Sequence, residues 1–201
     1  MSELKVNKIS PRSGTDVTLG DSGDTFTLGS GANIAGLTLS DNILFDTASK
    51  GIYLGTTSAT ASNLLDDYEE GTFTPEFADA TSGGNTATFT SVDGRYVKIG
   101  KQVTLDITFA NINTSGLTSG NAIIIRNLPF VIENTGFSTV GSVLIDRFTF
   151  SGYVISQSAS NASYLVLKDN INNTVDSQLL VSSVAVSGGS DIAITHIHTT
   201  A

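Results

Sequence analysis

The chain contains no cysteine and no tryptophan, and only one methionine, two histidines and three prolines in 201 residues. The absence of cysteine excludes disulfide scaffolds, thiolate catalysis and Cys-ligated zinc or iron–sulfur sites, and leaves the redox compartment undetermined. Charge is also scarce: 14% of the residues are Asp, Glu, Lys or Arg, against roughly 25% in an average soluble protein. Most of that charge has one sign. Nineteen acids oppose ten Lys and Arg, for a formal net charge of −9, which argues against nucleic acid as a partner because such binding needs a basic footprint. No apolar run approaches the ~20 residues of a spanning helix, so membrane insertion is not expected. Met1 to Ser13 is polar, without the apolar core of a signal peptide.

What is abundant is Ser, Thr, Asn and Gly, together 85 of 201 residues. These are poor helix formers, and they suit turns and pleated, half-buried surfaces. With 39% hydrophobic residues the chain is too apolar for a solvated coil. An all-β fold is therefore expected.

Three regions differ in pattern. In residues 1–60, Val17-Thr18-Leu19-Gly20 and Phe26-Thr27-Leu28-Gly29 stand nine residues apart, and Ile34, Ile43 and Ile52 continue that spacing more loosely. Each unit has too few apolar side chains to bury a core in one chain, so such units gain stability by stacking on neighbours or on other copies. Three chains around a common axis would bury Val17, Leu19, Phe26, Leu28 and Ile34 together; the other reading is a mobile arm. Ahead of them, Leu4, Val6, Lys8 and Ile9 form a short, basic, partly apolar leader suited to docking on another protein, or else a frayed terminus. Residues 61–75 read as an acidic linker, with Asp66, Asp67, Glu69 and Glu70 crowded together and Asn63 placed to cap one helical turn through Leu64 and Leu65.

From residue 76 to 201 the pattern is period-two alternation. Strands are expected at 86–92, 96–99, 103–109, 122–126, 138–145, 148–155, 164–167, 179–186 and 192–197. Turn clusters such as Ser82-Gly83-Gly84-Asn85, Val92-Asp93-Gly94-Arg95 and Ser187-Gly188-Gly189-Ser190 separate them. This predicts an antiparallel, jelly-roll-like β-sandwich.

Two separated stretches carry a resemblance: Leu65-Asp66-Asp67-Tyr68-Glu69-Glu70-Gly71-Thr72-Phe73-Thr74-Pro75, and Gly94-Arg95-Tyr96-Val97-Lys98-Ile99-Gly100-Lys101-Gln102-Val103. With Asn127-Leu128-Pro129-Phe130 as a third element, they resemble a module of bacteriophage tail-fibre and related virion proteins. The leader Leu4-Lys5-Val6-Asn7-Lys8-Ile9-Ser10-Pro11 is similar to that of short fibre proteins from tailed phages of marine bacteria. The resemblance implies a homotrimer made in the host cytoplasm and incorporated in the virion. Its N-terminal stalk would attach to the phage tail or another virion protein, and its C-terminal head would bind a host-surface glycan or protein. A capsid decoration or tail-hub adaptor without receptor binding is the alternative.

Little chemistry competes with a binding or structural role. His196 and His198 lie on one face of an expected strand and, gathered at a three-fold axis, could ligate a metal; otherwise they are partly exposed side chains whose charge follows local burial. The acids at 66–70 sit on one segment, whereas glycoside hydrolysis needs two carboxyls facing each other across a cleft. Gly29-Ser30-Gly31-Ala32-Asn33 lacks the Gly-Lys-Ser/Thr ending of a phosphate loop. No enzyme and no cofactor are expected. Phe148 and Phe150 are expected in the core, and Asn161, Asn170, Asn172 and Asn173 are candidate glycan contacts.

Overall fold

The computed structural model describes residues 43–45, 49–55, 58–171, 175–185 and 188–200. The leader positions Leu4, Val6, Lys8 and Ile9 lie outside the described residues, as do the stacking positions Val17, Leu19, Phe26, Leu28 and Ile34. The elements below belong to one compact unit, Phe45–Ala201.

The described residues of that unit are all-β and form twelve strands: β1 (Ile52–Tyr53), β2 (Leu64–Leu65), β3 (Tyr68–Phe73), β4 (Glu76–Ala78), β5 (Ser91–Ile99), β6 (Gln102–Ile112), β7 (Ile124–Arg126), β8 (Val140–Asp146), β9 (Tyr153–Ser158), β10 (Tyr164–Asn170), β11 (Ser177–Gln178) and β12 (Ser190–Thr199). Among the described residues the only helical pieces are single 3₁₀ turns at Ala61–Asn63 and Val181–Ser183. β1 and β2 pair as a short ribbon. The other ten form one antiparallel sheet in the order β3-β5-β6-β12-β8-β9-β10-β7-β4, with β11 beside β10.

The two ends of that order are neighbours in sequence. β3 ends at Phe73 and β4 begins at Glu76, so only Thr74 and Pro75 separate opposite edges of a ten-stranded sheet. Three peptide steps span at most about 10 Å. The sheet must therefore curl until its edges approach, and one curled antiparallel sheet stands where a jelly-roll-like sandwich was expected. Phe77 of β4 meets Phe109 of β6 edge-to-face at 5.9 Å, across the interior so formed.

Alternation decides what fills it. On β6, Val103, Leu105, Ile107 and Phe109 are buried while Gln102, Asp106 and Thr108 face out; on β12, Ile192, Ile194, His196 and His198 point in. Leu165 and Leu167 of β10, Ile123 and Ile125 around β7, and Leu179 complete the apolar cluster. Burying a side chain of this size is worth about 1.5–3 kcal/mol, so a core of this extent supports an independently stable unit.

Several expectations change. The 92–95 cluster is not a turn, because β5 runs through it to Ile99. Gly94 is buried and faces inward, and a Cβ there would stand 2.7 Å from both the Phe73 carbonyl oxygen and Pro75 Cδ. The glycine serves close approach rather than chain reversal. Residues 61–75 are not merely a linker, since β3 is an edge strand of the main sheet. Leu64 and Leu65 are strand rather than helix, and the Asn63 side-chain amide donates to the Leu54 carbonyl at 3.3 Å instead of capping a turn. The described part of 179–186 is a 3₁₀ turn flanked by isolated bridges, and Phe150 is 42% exposed rather than core. Phe148 packs partly buried against the core, as expected.

Candidate functional site

Two places concentrate polar chemistry: the meeting of the sheet edges, and the interior of β12.

At the edges, the three stretches that carry the resemblance come together. β3 and β5 pair from Tyr68↔Ile99 to Phe73↔Gly94. On the inward side, Tyr96 donates its hydroxyl to Glu69 Oε1 at 2.5 Å and packs its ring edge-to-face on Phe130 at 5.1 Å. Lys98 pairs with Asp67, and its ammonium lies 5.8 Å from the centre of the Phe130 ring. Asn127 Nδ2 donates to the Thr74 carbonyl at 2.7 Å, which ties the start of the third stretch to the edge-crossing peptide. Arg126 anchors the far side, donating to Glu76 Oε2 at 2.6 Å and to the carbonyls of Ala80 and Gly83. The resemblance therefore falls on residues that close the fold.

The acids at 66–70 do not converge. Period-two geometry sends Glu69 inward to Tyr96 and Glu70 outward to Tyr68, whose hydroxyl donates to Glu70 Oε2 at 2.6 Å. Both phenols have pKa values raised above 10, first because ionisation would forfeit the bond to the carboxylate. Paired in this way on opposite faces, the two glutamates cannot share a scissile bond.

The second place is the histidine pair. His196 and His198 are both on the inward face of β12, as the i, i+2 spacing requires, but they are buried rather than partly exposed, at 0% and 1%. His196 is held between Ser156 Oγ, 2.9 Å from Nδ1, and Thr139 Oγ1, 3.0 Å from Nε2. Room for this contact comes from Gly141 on the neighbouring strand, where a Cβ would lie 2.6 Å from Ser156 Oγ and 2.8 Å from His196 Nδ1. His198 has no partner at either ring nitrogen. Desolvation pushes both imidazoles down to about 4, and the neighbouring His198 adds to the effect on His196. Among the described residues no group of three metal-ligating side chains forms. A metal shared by three copies would need these imidazoles at the surface, and the fold puts them inside one chain.

Of the candidate asparagines, Asn161 sits at positive φ in a turn, Asn170 ends β10, and Asn172 and Asn173 lie outside the described residues. Sequence reasoning overlooked Asp79 and Asp169, two buried carboxylates that each accept two backbone N–H groups. Asp79 stands ahead of a Ser/Gly-rich stretch and Asp169 ahead of an Asn-rich one, patterns too common in this chain to single them out. Among the described residues no helix is long and apolar enough to cross a membrane. Comparison with family profiles, curated proteins and solved structures finds no match.

Proposed function

We propose that the chain is a non-enzymatic virion protein of a tailed phage, a short homotrimeric tail fibre whose N-terminal segment attaches and trimerises and whose curled sheet binds a host-surface glycan. The observation that carries this reading is the convergence of 65–75, 94–103 and 127–130 on the closure of the sheet, through Gly94 on Phe73 and Pro75, Asn127 on Thr74, and Tyr96 on Phe130. Three stretches that resemble one virion module in sequence thus act as one structural unit in space. The β1–β2 ribbon supports the oligomer. A two-stranded ribbon alone is marginal in water, and this one leaves Ile52, Tyr53, Leu54 and Leu65 between 39% and 55% exposed in a single chain. Other copies would cover them, in keeping with the stacking reading of the nine-residue spacing upstream.

Light scattering on the eluting peak of a sizing column tests the assembly. The expected mass is about three times the 20.9 kDa chain, and a stable monomer at micromolar concentration overturns the trimer. Adhesion of fluorescently labelled protein to a panel of marine bacteria tests the role. Density on the capsid together with no adhesion to any strain would replace the fibre by a decoration or adaptor protein.

A further inference from the structure

We propose that the groove on the outer face of β3, β5 and β6 is a binding site for a neutral saccharide, gripped by Glu70, Arg95 and Asp106; this deepens the receptor-binding reading and rests on it for its biological meaning. The groove encloses about 430 Å³ between Glu70, Thr72, Arg95, Val97, Thr104 and Asp106. Small-ligand sites begin at roughly 300 Å³, so one or two sugar rings match its size.

The register explains why a groove exists here. Arg95 and Asp106 are cross-strand partners, and opposite charges so placed ordinarily close on one another. Here each is drawn away from the other. Arg95 Nε lies 2.8 Å from Asp93 Oδ2 on its own strand, and Asp106 Oδ1 accepts from Thr195 Oγ1 at 2.7 Å on the strand beyond. Glu70, one row along and paired with Val97, is steadied by Tyr68 at 2.6 Å. All three charged groups are therefore positioned by a neighbour outside the groove. Each keeps further hydrogen-bonding capacity: the second carboxylate oxygen of Glu70 and of Asp106, and the terminal guanidinium nitrogens of Arg95.

That set matches a sugar. Adjacent hydroxyls can donate to the two carboxylates and accept from the guanidinium, while the C–H face of the ring lies on Val97 and the threonine methyls. The charge count sets the class. Glu70, Asp93 and Asp106 outnumber Arg95, so a uronic or other acidic sugar is repelled and a neutral one is not. A single site of this kind is weak, and several copies per particle would raise its avidity.

The test is a titration of the ¹⁵N-labelled full chain with the methyl glycosides of glucose, galactose and mannose, and with methyl glucuronide as the acidic control. The expected result is amide shifts confined to residues 70–72, 95–97 and 104–106 for at least one neutral glycoside, with the glucuronide weaker. Asp106→Asn and Arg95→Gln should each weaken binding about tenfold, the loss expected for a hydrogen bond to a charged group, with an unchanged thermal midpoint. No shift there with any neutral glycoside, undiminished binding by both variants, or tighter binding of the glucuronide would each overturn the proposal. The adhesion assay separates the two readings. Adhesion that survives both substitutions keeps the receptor reading and removes the groove, whereas saccharide binding in the groove without adhesion by the unmodified protein does the reverse.

Discussion

Acid should unfold this protein earlier than its carboxylates alone would require, and the buried histidines set the window. In the unfolded chain each imidazole titrates near 6.5; in the fold both are pushed down to about 4. The unfolded state therefore binds protons that the folded state refuses. Stability is complete above pH 6.5 and falls as the pH drops towards 4, by up to about 1.36 kcal/mol per pH unit for each histidine. Across that window the loss is about 3 kcal/mol per histidine, or about 6 kcal/mol together. This is a large share of the roughly 5–15 kcal/mol by which domains are stable. Urea unfolding followed by tyrosine fluorescence from pH 8 to pH 4, at one protein concentration, measures it directly. The two side chains then separate by substitution. His198→Leu removes two unpartnered buried nitrogens, so at pH 7.5 it should cost nothing or add about 1 kcal/mol, and it should halve the pH slope. His196→Leu strands the hydroxyls of Ser156 and Thr139 and should cost about 1–3 kcal/mol at pH 7.5, again halving the slope. A free energy of unfolding that stays flat between pH 7 and pH 4.5, or imidazole titrations near 6.5 by NMR, would refute the reasoning.

Two further outcomes follow from the same structure. Gly94→Ala should lower stability by about 1–3 kcal/mol, the usual cost of overpacking, because the new methyl meets backbone and proline ring at 2.7 Å; an unchanged melting midpoint would show that the edges do not close as described. Asp79 accepts the Asn85 and Thr118 N–H groups at 2.9 and 2.8 Å, and these bonds hold its carboxyl below the usual range. Asp79→Ala should cost about 2 kcal/mol through two unpaired donors, with Asp79→Asn intermediate, both read by urea unfolding at pH 7.

Some of the candidate site was legible beforehand and some was not. The resemblance picked out the three stretches along the chain. Their mechanical role could not be anticipated, because nothing in residues 65–130 taken in order says that β3 and β4 lie at opposite edges of one sheet. The i, i+2 spacing of His196 and His198 put them on one face, as found. Their burial was not legible, and partial exposure was expected instead, because polar histidines break the alternation of an otherwise clear strand. The groove was not legible at all, since it depends on Arg95 and Asp106 standing opposite each other while bonded elsewhere.

By itself the sequence determined that this is a β protein and which residues of its clearest strands face inward. The alternation in 103–109 is a local property, dictated by the pleat, and it appears unchanged in β6. Only the tertiary structure decided what the glycines and acids are for. Gly94 reads as a turn until Phe73 and Pro75 are seen against it, and Glu69 reads as a linker acid until Tyr96 is seen to hold it. A small or charged residue is compatible with several local conformations, and its role is set by partners some twenty or more positions away that the chain meets only after it has folded.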